Sequence, residues 1–390
     1  MAAGTHRQAR YIVPMPGPDR HACFAITPPG VEHLTAAELA GLGIVADGTE
    51  PGGVAFSATT RQLYAANLEL RTAGRIVVRL AEFPARAFYE LERKAGRVPW
   101  GAVLPPGAAA RFRVSSRKSR LYHLDGIAQR LVAVAGGPWN EAAGDEAQLF
   151  LVRVLRDVVT ISADSSGTLL HRRGYRLATA KAPLRETLAA AMLLGAGDRE
   201  DRAFVDPFCG AGTLPIEAAL LRRRIAPGLF RSFGFERWPG FEVETWRTLR
   251  EEARLRMLPR AAVPIQGSDR DAGAIAAAVA NAERAGVGED IVFEQRPFSA
   301  AEPPAGTGLL ATNPPYGVRV GDRRALGALY RGFGALARER WAAWSVALLS
   351  ADAGLLAETG LPVVVRWSSS NGGIPVQLAF APGMVPPRVS

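Results

Sequence analysis

Phe204-Val205-Asp206-Pro207-Phe208-Cys209-Gly210-Ala211-Gly212-Thr213, with Leu214-Pro215-Ile216-Glu217-Ala218-Ala219-Leu220-Leu221 directly behind it, reads as an apolar strand, a glycine-rich turn and a helix in immediate succession. Small residues let the backbone approach a ligand and the helix N-terminus faces it, so this order marks the first strand, loop and helix of a nucleotide-type α/β unit. It departs from the dinucleotide fingerprint, because Gly210 and Gly212 lack a third glycine at the right step and Asp206 stands ahead of them. A carboxylate there repels a pyrophosphate and attracts an ammonium group, such as the one on the methionine part of S-adenosylmethionine (SAM). The plain alternative is a tight turn that needs glycine for positive φ.

The pattern continues downstream. Val263-Pro264-Ile265-Gln266-Gly267-Ser268-Asp269-Arg270-Asp271 reads as a second strand ending in acids, followed by a helix over Ala272 to Ala285. A carboxylate at the end of the second strand is where such folds hold a ribose hydroxyl pair, and Asp269 is the first choice. Asp271 is either a further ligand or the N-cap of the next helix. A third strand, Ile291 to Gln295, ends in Arg296-Pro297-Phe298-Ser299. A fourth, Gly308 to Thr312, ends in Asn313-Pro314-Pro315-Tyr316. An Asn amide oxygen and the next carbonyl can both accept from one NH2 group, the prolines stiffen the turn, and the Tyr ring offers a stacking face. That combination suggests methylation of a planar exocyclic amine, against the bland reading of an ordinary strand-to-loop turn.

These motifs resemble the class I SAM-dependent RNA methyltransferases with an N-terminal THUMP domain, in their guanine-N2 branch acting on large-subunit rRNA and tRNA. The resemblance rests on D-P-F-C-G-A-G-T-L-P-I-E-A-A, G-S-D-R-D with N-A-E-R-A-G-V, and T-N-P-P-Y-G-V-R. Further matches are S-S-G-T-L-L-H-R-R-G-Y-R, A-P-L-R-E-T-L-A-A-A-M and N-G-G-I-P-V-Q-L. It implies an α/β architecture: a ferredoxin-like module over 21–82, an α/β THUMP domain over 83–168, a linker over 169–184, and a Rossmann-like, mostly parallel seven-stranded methyltransferase domain over 185–390. Residues 1–20 are expected to be a disordered tail.

The cofactor set it implies is Asp206, Phe208, Gly210, Gly212, Thr213, Asp269, Asp271, Pro297, Phe298, Asn313 and, in the first turn of the helix from Glu186, Thr187. Asn313, Pro314 and Tyr316 form the implied catalytic set. One position departs from the family: relatives usually carry an Asp after the third strand to hold the adenine amino group, where this chain has Pro297.

Composition is compatible with this reading. A chain of 390 residues is too long for one core, and 48% hydrophobic residues allow a large one. No apolar run reaches about 18 residues without charges and the N-terminus has no secretory h-region, so a cytoplasmic protein without membrane spans is expected. Two cysteines, Cys23 and Cys209, and five scattered histidines argue against a disulfide framework or a metal site. The net charge of +10 favours a polyanionic partner, although an arginine-rich chain also reflects a GC-rich genome. Clustering is more telling than the total. Arg111, Arg113, Arg117, Lys118 and Arg120 surround Phe112 and Tyr122, while Arg172, Arg173 and Arg176 accompany Tyr175; with Arg319 these are the candidate RNA contacts, and a solvated charged face is the alternative. A monomer is expected. Trp238 and Trp246, in an insertion over 222–262, are read as core residues.

Two other classes compete with the guanine-N2 reading. Adenine-N6 and glutamine methyltransferases share N-P-P-Y, and an RNA-binding factor with a decayed cofactor pocket shares the basic half.

Overall fold

The computed structural model describes residues 10–11, 20–136, 146–176, 184–315 and 323–383. The chain divides into two compact units. The first holds 1–27, 36–170 and 231–251; the second holds 28–35, 171–230 and 252–390.

The first unit is built on a single eight-stranded sheet. Its strands are β1 (Arg10–Tyr11), β2 (His21–Ile26), β3 (Ala46–Glu50), β4 (Gly53–Ala58), β5 (Arg75–Pro84), β6 (Ala110–Arg117), β7 (Gln148–Leu155) and β8 (Val158–Asp164), with helices α1 (Glu32–Gly41), α2 (Thr60–Glu69), α3 (Phe88–Ala95) and α4 (Leu124–Ala135) between them. The order is β3-β4-β2-β5-β8-β7-β6, with β1 pairing β5 off the path. The stretches over 21–82 and 83–168 therefore share one sheet, joined by antiparallel pairing of β5 with β8. Pairing of Arg10 with Glu82 and Tyr11 with Ala81 also corrects the expectation of a disordered tail at these two residues; the rest of 1–19 lies outside the described residues.

Residues 231–251 belong to this first unit rather than to the methyltransferase unit that surrounds them in sequence. The reason is aromatic packing. Phe235 stacks on Tyr64 at 4.2 Å between ring centroids, Phe233 stacks on Phe235 at 5.4 Å, and Trp246 meets both edge-on at 5.5 and 5.2 Å. Trp238 is buried and its indole N–H donates to Gln148 Oε1 at 2.8 Å, so both tryptophans are core residues as expected.

The second unit carries a seven-stranded sheet of β9 (Ala203–Asp206), β10 (Ile265–Asp269), β11 (Ile291–Gln295), β12 (Gly308–Thr312), β13 (Ser345–Ser350), β14 (Val364–Asn371) and β15 (Ile374–Ala381). The order is β11-β10-β9-β12-β13-β15-β14. The first five are parallel, and β15 runs antiparallel to both neighbours. Helices α5 (Glu186–Ala196), α6 (Thr213–Arg222), α8 (Ala272–Arg284), α9 (Arg323–Arg340) and α10 (Ala353–Glu358) belong to this unit, while α7 (Val243–Leu255) lies mostly in the first. Parallel strands covered on both faces read as continuous apolar runs, and β9 and β12 are buried at every position. The chain steps from β9 to β10 on one side and later to β12 on the other. The carboxyl ends of β9 and β12 thus form the switch point where open α/β sheets take their ligands.

Removing the ring of Phe235 leaves a cavity among Tyr64, Phe233 and Trp246. Phe235→Ala is expected to destabilise the first unit by about 3–5 kcal/mol, read as a lower urea midpoint with an unchanged slope.

Candidate active site

At the end of β9, Asp206 is buried and its Oδ1 accepts both the Phe208 N–H at 3.1 Å and the Thr312 hydroxyl at 2.6 Å. Two donors saturate that oxygen, while Oδ2 has no partner among the described residues. Burial, reinforced by the neighbouring Asp269 charge, pushes the Asp206 pKa up to about 7 against the two hydrogen bonds. A cation beside Oδ2 would relieve the unfavourable burial of the ionised form.

The glycine loop follows. Gly210 and Gly212 have φ of 51° and 82°. A Cβ on Gly212 would lie 3.0 Å from the Ala278 Cβ, so α8 packs where a side chain would project; around Gly210 there is open space. The Gly210 N–H donates to Asp269 Oδ2 at 3.0 Å and the Asp271 N–H donates to Asp269 Oδ1 at 3.0 Å. Each Asp269 oxygen keeps one lone pair, enough for a vicinal diol. Asp271 is engaged as an N-cap, its Oδ1 accepting from Ala274 at 3.0 Å, and it also lines the cavity. Burial pushes the Cys209 thiol up, which leaves it a small side chain of the loop and no nucleophile.

These strand ends open on a cavity of about 1080 Å³. Its walls bring together Phe208, Asp269, Asp271, Pro297, Phe298, Asn313 and Pro314 from the sequence-derived set. Asp206, Gly210, Gly212, Thr213 and Thr187 are not among the lining residues; Thr187 is buried inside α5. Tyr316 and Arg319 lie outside the described residues. The opposite wall was missed: Leu326, Leu329, Phe333 and Leu336 of α9, with Ile374. Their three- and four-residue spacing is the helical signal that marks them. Phe298 stacks on Phe333 at 4.7 Å, and Phe208 tilts against Phe298 at 6.0 Å, so the inner wall is aromatic.

Asn313 closes the site. Its side-chain Oδ1 is buried and accepts no hydrogen bond from the described residues. Pro314 and Pro315 follow it and supply no N–H.

The candidate RNA contacts separate into two groups. Arg113, Arg117, Lys118 and Arg120 are exposed on and after β6, with Arg111 half-buried. Arg173 and Arg176 require correction, because their guanidinium groups are buried in ion pairs with Glu217 (3.6 Å) and Glu186 (2.7 Å). Tyr175 joins them, its hydroxyl donating to Glu217 at 3.0 Å. The described part of the supposed linker is therefore packed against α5 and α6; Arg172 is exposed.

Residues 173–378 match the family described as RMKL-like, methyltransferase domain, which is more than half of the chain. The chain belongs to this methyltransferase family. Residues 22–77 match the RlmL ferredoxin-like domain, as the N-terminal module was expected to. A putative RNA methyltransferase of Synechocystis sp. is 32% identical over 364 residues, covering 91% of this chain and 95% of that protein. The ribosomal RNA large subunit methyltransferase K/L of Methylococcus capsulatus is 37% identical over 374 residues, but the match covers 50% of its length. The chain thus spans about half of that relative. The crystal structure of a putative methyltransferase complexed with SAH superposes with a TM-score of 0.85 at 29% identity, covering 94% of this chain and 99% of that one. SAM is the cofactor of this fold, and the site suits it: the unpartnered Oδ2 of the buried Asp206 for the ammonium, Asp269 for the ribose, and an apolar-walled cavity for the rest.

The raised Asp206 pKa fixes the sign of a pH effect. The unfolded chain ionises this carboxyl in the ordinary range and the folded chain only near pH 7, so stability present at low pH is lost as pH rises through that window. Asp206→Asn keeps the Oδ1 acceptor. It is expected to melt higher than the native chain at about pH 8 and equally at about pH 3, while binding SAH roughly tenfold or more weakly by calorimetry.

Proposed function

We propose that this chain transfers a methyl group from SAM to the exocyclic N2 amine of a guanine in structured RNA, ribosomal or transfer. The observation that carries the reading is the buried Oδ1 of Asn313, which has no donor among the described residues. A buried acceptor without a donor costs about 1–3 kcal/mol, and a planar amine brings the missing N–H. Bound SAM supplies an electrophilic sulfonium methyl. The amine is a poor nucleophile because its lone pair is delocalised into the base. Asn313 Oδ1 and the Pro314 carbonyl, accepting one N–H each, hold the nitrogen pyramidal and turn that lone pair out of the ring plane. Position and electrostatics then do most of what a strong base would otherwise do. As positive charge develops on the nitrogen, both acceptors strengthen, and the proton departs afterwards to water.

Phe208, Phe298 and Phe333 give the cavity an apolar, aromatic wall. Tyr316 is assigned the stacking face against the target base. RNA as the substrate is supported by the relatives, which are described as RNA methyltransferases, and by the exposed cations of the THUMP-like half. Guanine N2 as the target rests on the resemblance of the T-N-P-P-Y-G-V-R segment. Pro297 leaves the adenine amino group without the usual carboxylate, and we assign that contact to Ser299 or a main-chain carbonyl. The enzyme is proposed to act as a cytoplasmic monomer.

Nucleoside mass spectrometry of fractionated rRNA and tRNA from a deletion strain is expected to show N2-methylguanosine lost from one fraction; loss of N6-methyladenosine with N2-methylguanosine unchanged would overturn the assignment. Asn313→Ala is expected to lower kcat by about 10²–10³-fold with the fold intact by circular dichroism. A normal rate in that variant would contradict the acceptor mechanism.

A further inference from the structure

At one end of the first unit's sheet, two turns are buckled together. One is residues 117–120, after β6; the other is Arg156-Asp157, between β7 and β8. The Arg156 N–H donates to the Arg117 carbonyl at 3.2 Å, and the Asp157 N–H donates to the Ser119 hydroxyl at 3.0 Å, which itself donates to the Arg117 carbonyl at 3.0 Å. The Asp157 carboxylate closes the buckle. Its Oδ1 accepts the Arg120 N–H at 2.8 Å and its Oδ2 accepts Arg86 Nε at 3.2 Å, while the Ala85 N–H donates to the Asp157 carbonyl at 2.8 Å. Lys118, Arg156 and Asp157 sit at φ of 52°, 51° and 63°, conformations that side-chain-bearing residues keep only where the surroundings hold them.

The product of this construction is a rigid basic corner. Arg117, Lys118, Arg120 and Arg156 are exposed, and their side-chain cations have no acidic partner among the described residues. The Asp157 carboxylate pairs with Arg86 and accepts the Arg120 main-chain N–H. Tyr122, 77% exposed, stands two residues beyond the buckle and offers an aromatic face. Fixed cations beside such a face suit a ligand with phosphates at fixed spacing and bases that stack.

We propose that this corner grips the phosphate backbone of the RNA and that Asp157, although acidic, is the positioning residue on which its grip depends. The inference rests on the RNA reading above. Simple electrostatics gives the opposite sign for Asp157, since removing an acid raises the net positive charge and tightens binding to a polyanion.

Fluorescence anisotropy of the full chain with a labelled RNA stem-loop at fixed salt separates the two. Asp157→Ala is expected to weaken binding roughly fivefold or more, which is about 1 kcal/mol, despite its added positive charge. Ser119→Ala, which changes no charge and removes one strut, is expected to shift affinity in the same direction. Asp157→Asn retains the Oδ1 acceptor and is expected to recover part of the loss. The double variant Arg117→Ala, Arg156→Ala is expected to weaken binding and to flatten the dependence of log Kd on log salt by between about one and two units. SAH affinity, measured by calorimetry, stays unchanged in all of them. If Asp157→Ala and Ser119→Ala, folded by circular dichroism, bind the RNA as tightly as the native chain or more tightly, the proposal is overturned. A native chain that binds no RNA overturns instead the RNA reading beneath it.

Discussion

The methyltransferase unit depends on a buried carboxylate that joins two strands. Asp206 ends β9, Thr312 ends β12, and the hydrogen bond between them ties the glycine loop to the strand that delivers Asn313. A hydroxyl partner leaves Asp206 with its full charge to place, unlike an arginine or lysine. The site is accordingly built around an acid that is hard to ionise until a cation arrives. Asp269 repeats the device one strand over. There the carboxylate accepts two backbone N–H groups, which hold the loop against the end of β10. Both acids thus shape the loop before they meet any ligand, and this preorganisation limits the reordering that binding requires.

Much of this was legible in the sequence. Buried parallel strands ending in Asp206, Asp269 and Asn313 carry a local signature, because each requires a continuous apolar run and then a polar residue at its carboxyl end. The helix from Ala272 was similarly readable, with Asp271 as its cap. What was not legible depends on distant partners. Arg173 and Arg176 look like phosphate contacts in a basic run, and nothing nearby in sequence announces that Glu217 and Glu186 neutralise them. The α9 wall escaped for another reason: its apolar face shows only that it packs, and the cavity it packs beside is a property of the whole sheet.

The arginines therefore fall into two physical populations. Those facing α5 and α6 lie in low dielectric and are retained with their acids as structural pairs; removing one partner leaves an uncompensated buried charge. Those at the corner of β6 and the β7–β8 turn remain in water, where their charge acts outward. Net charge alone does not distinguish the two, and burial does.

The aromatic segment 233–246 has a consequence for biosynthesis. A chain emerges from the ribosome in order, and the sheet of the first unit is complete in sequence by Asp164. The rings against Tyr64 arrive only with Phe235, Phe241 and Trp246, after β9 and α6 of the other unit have been made. The first unit cannot mature before the second has begun. In the interval the nascent chain leaves the Tyr64 face uncovered, and that face closes late.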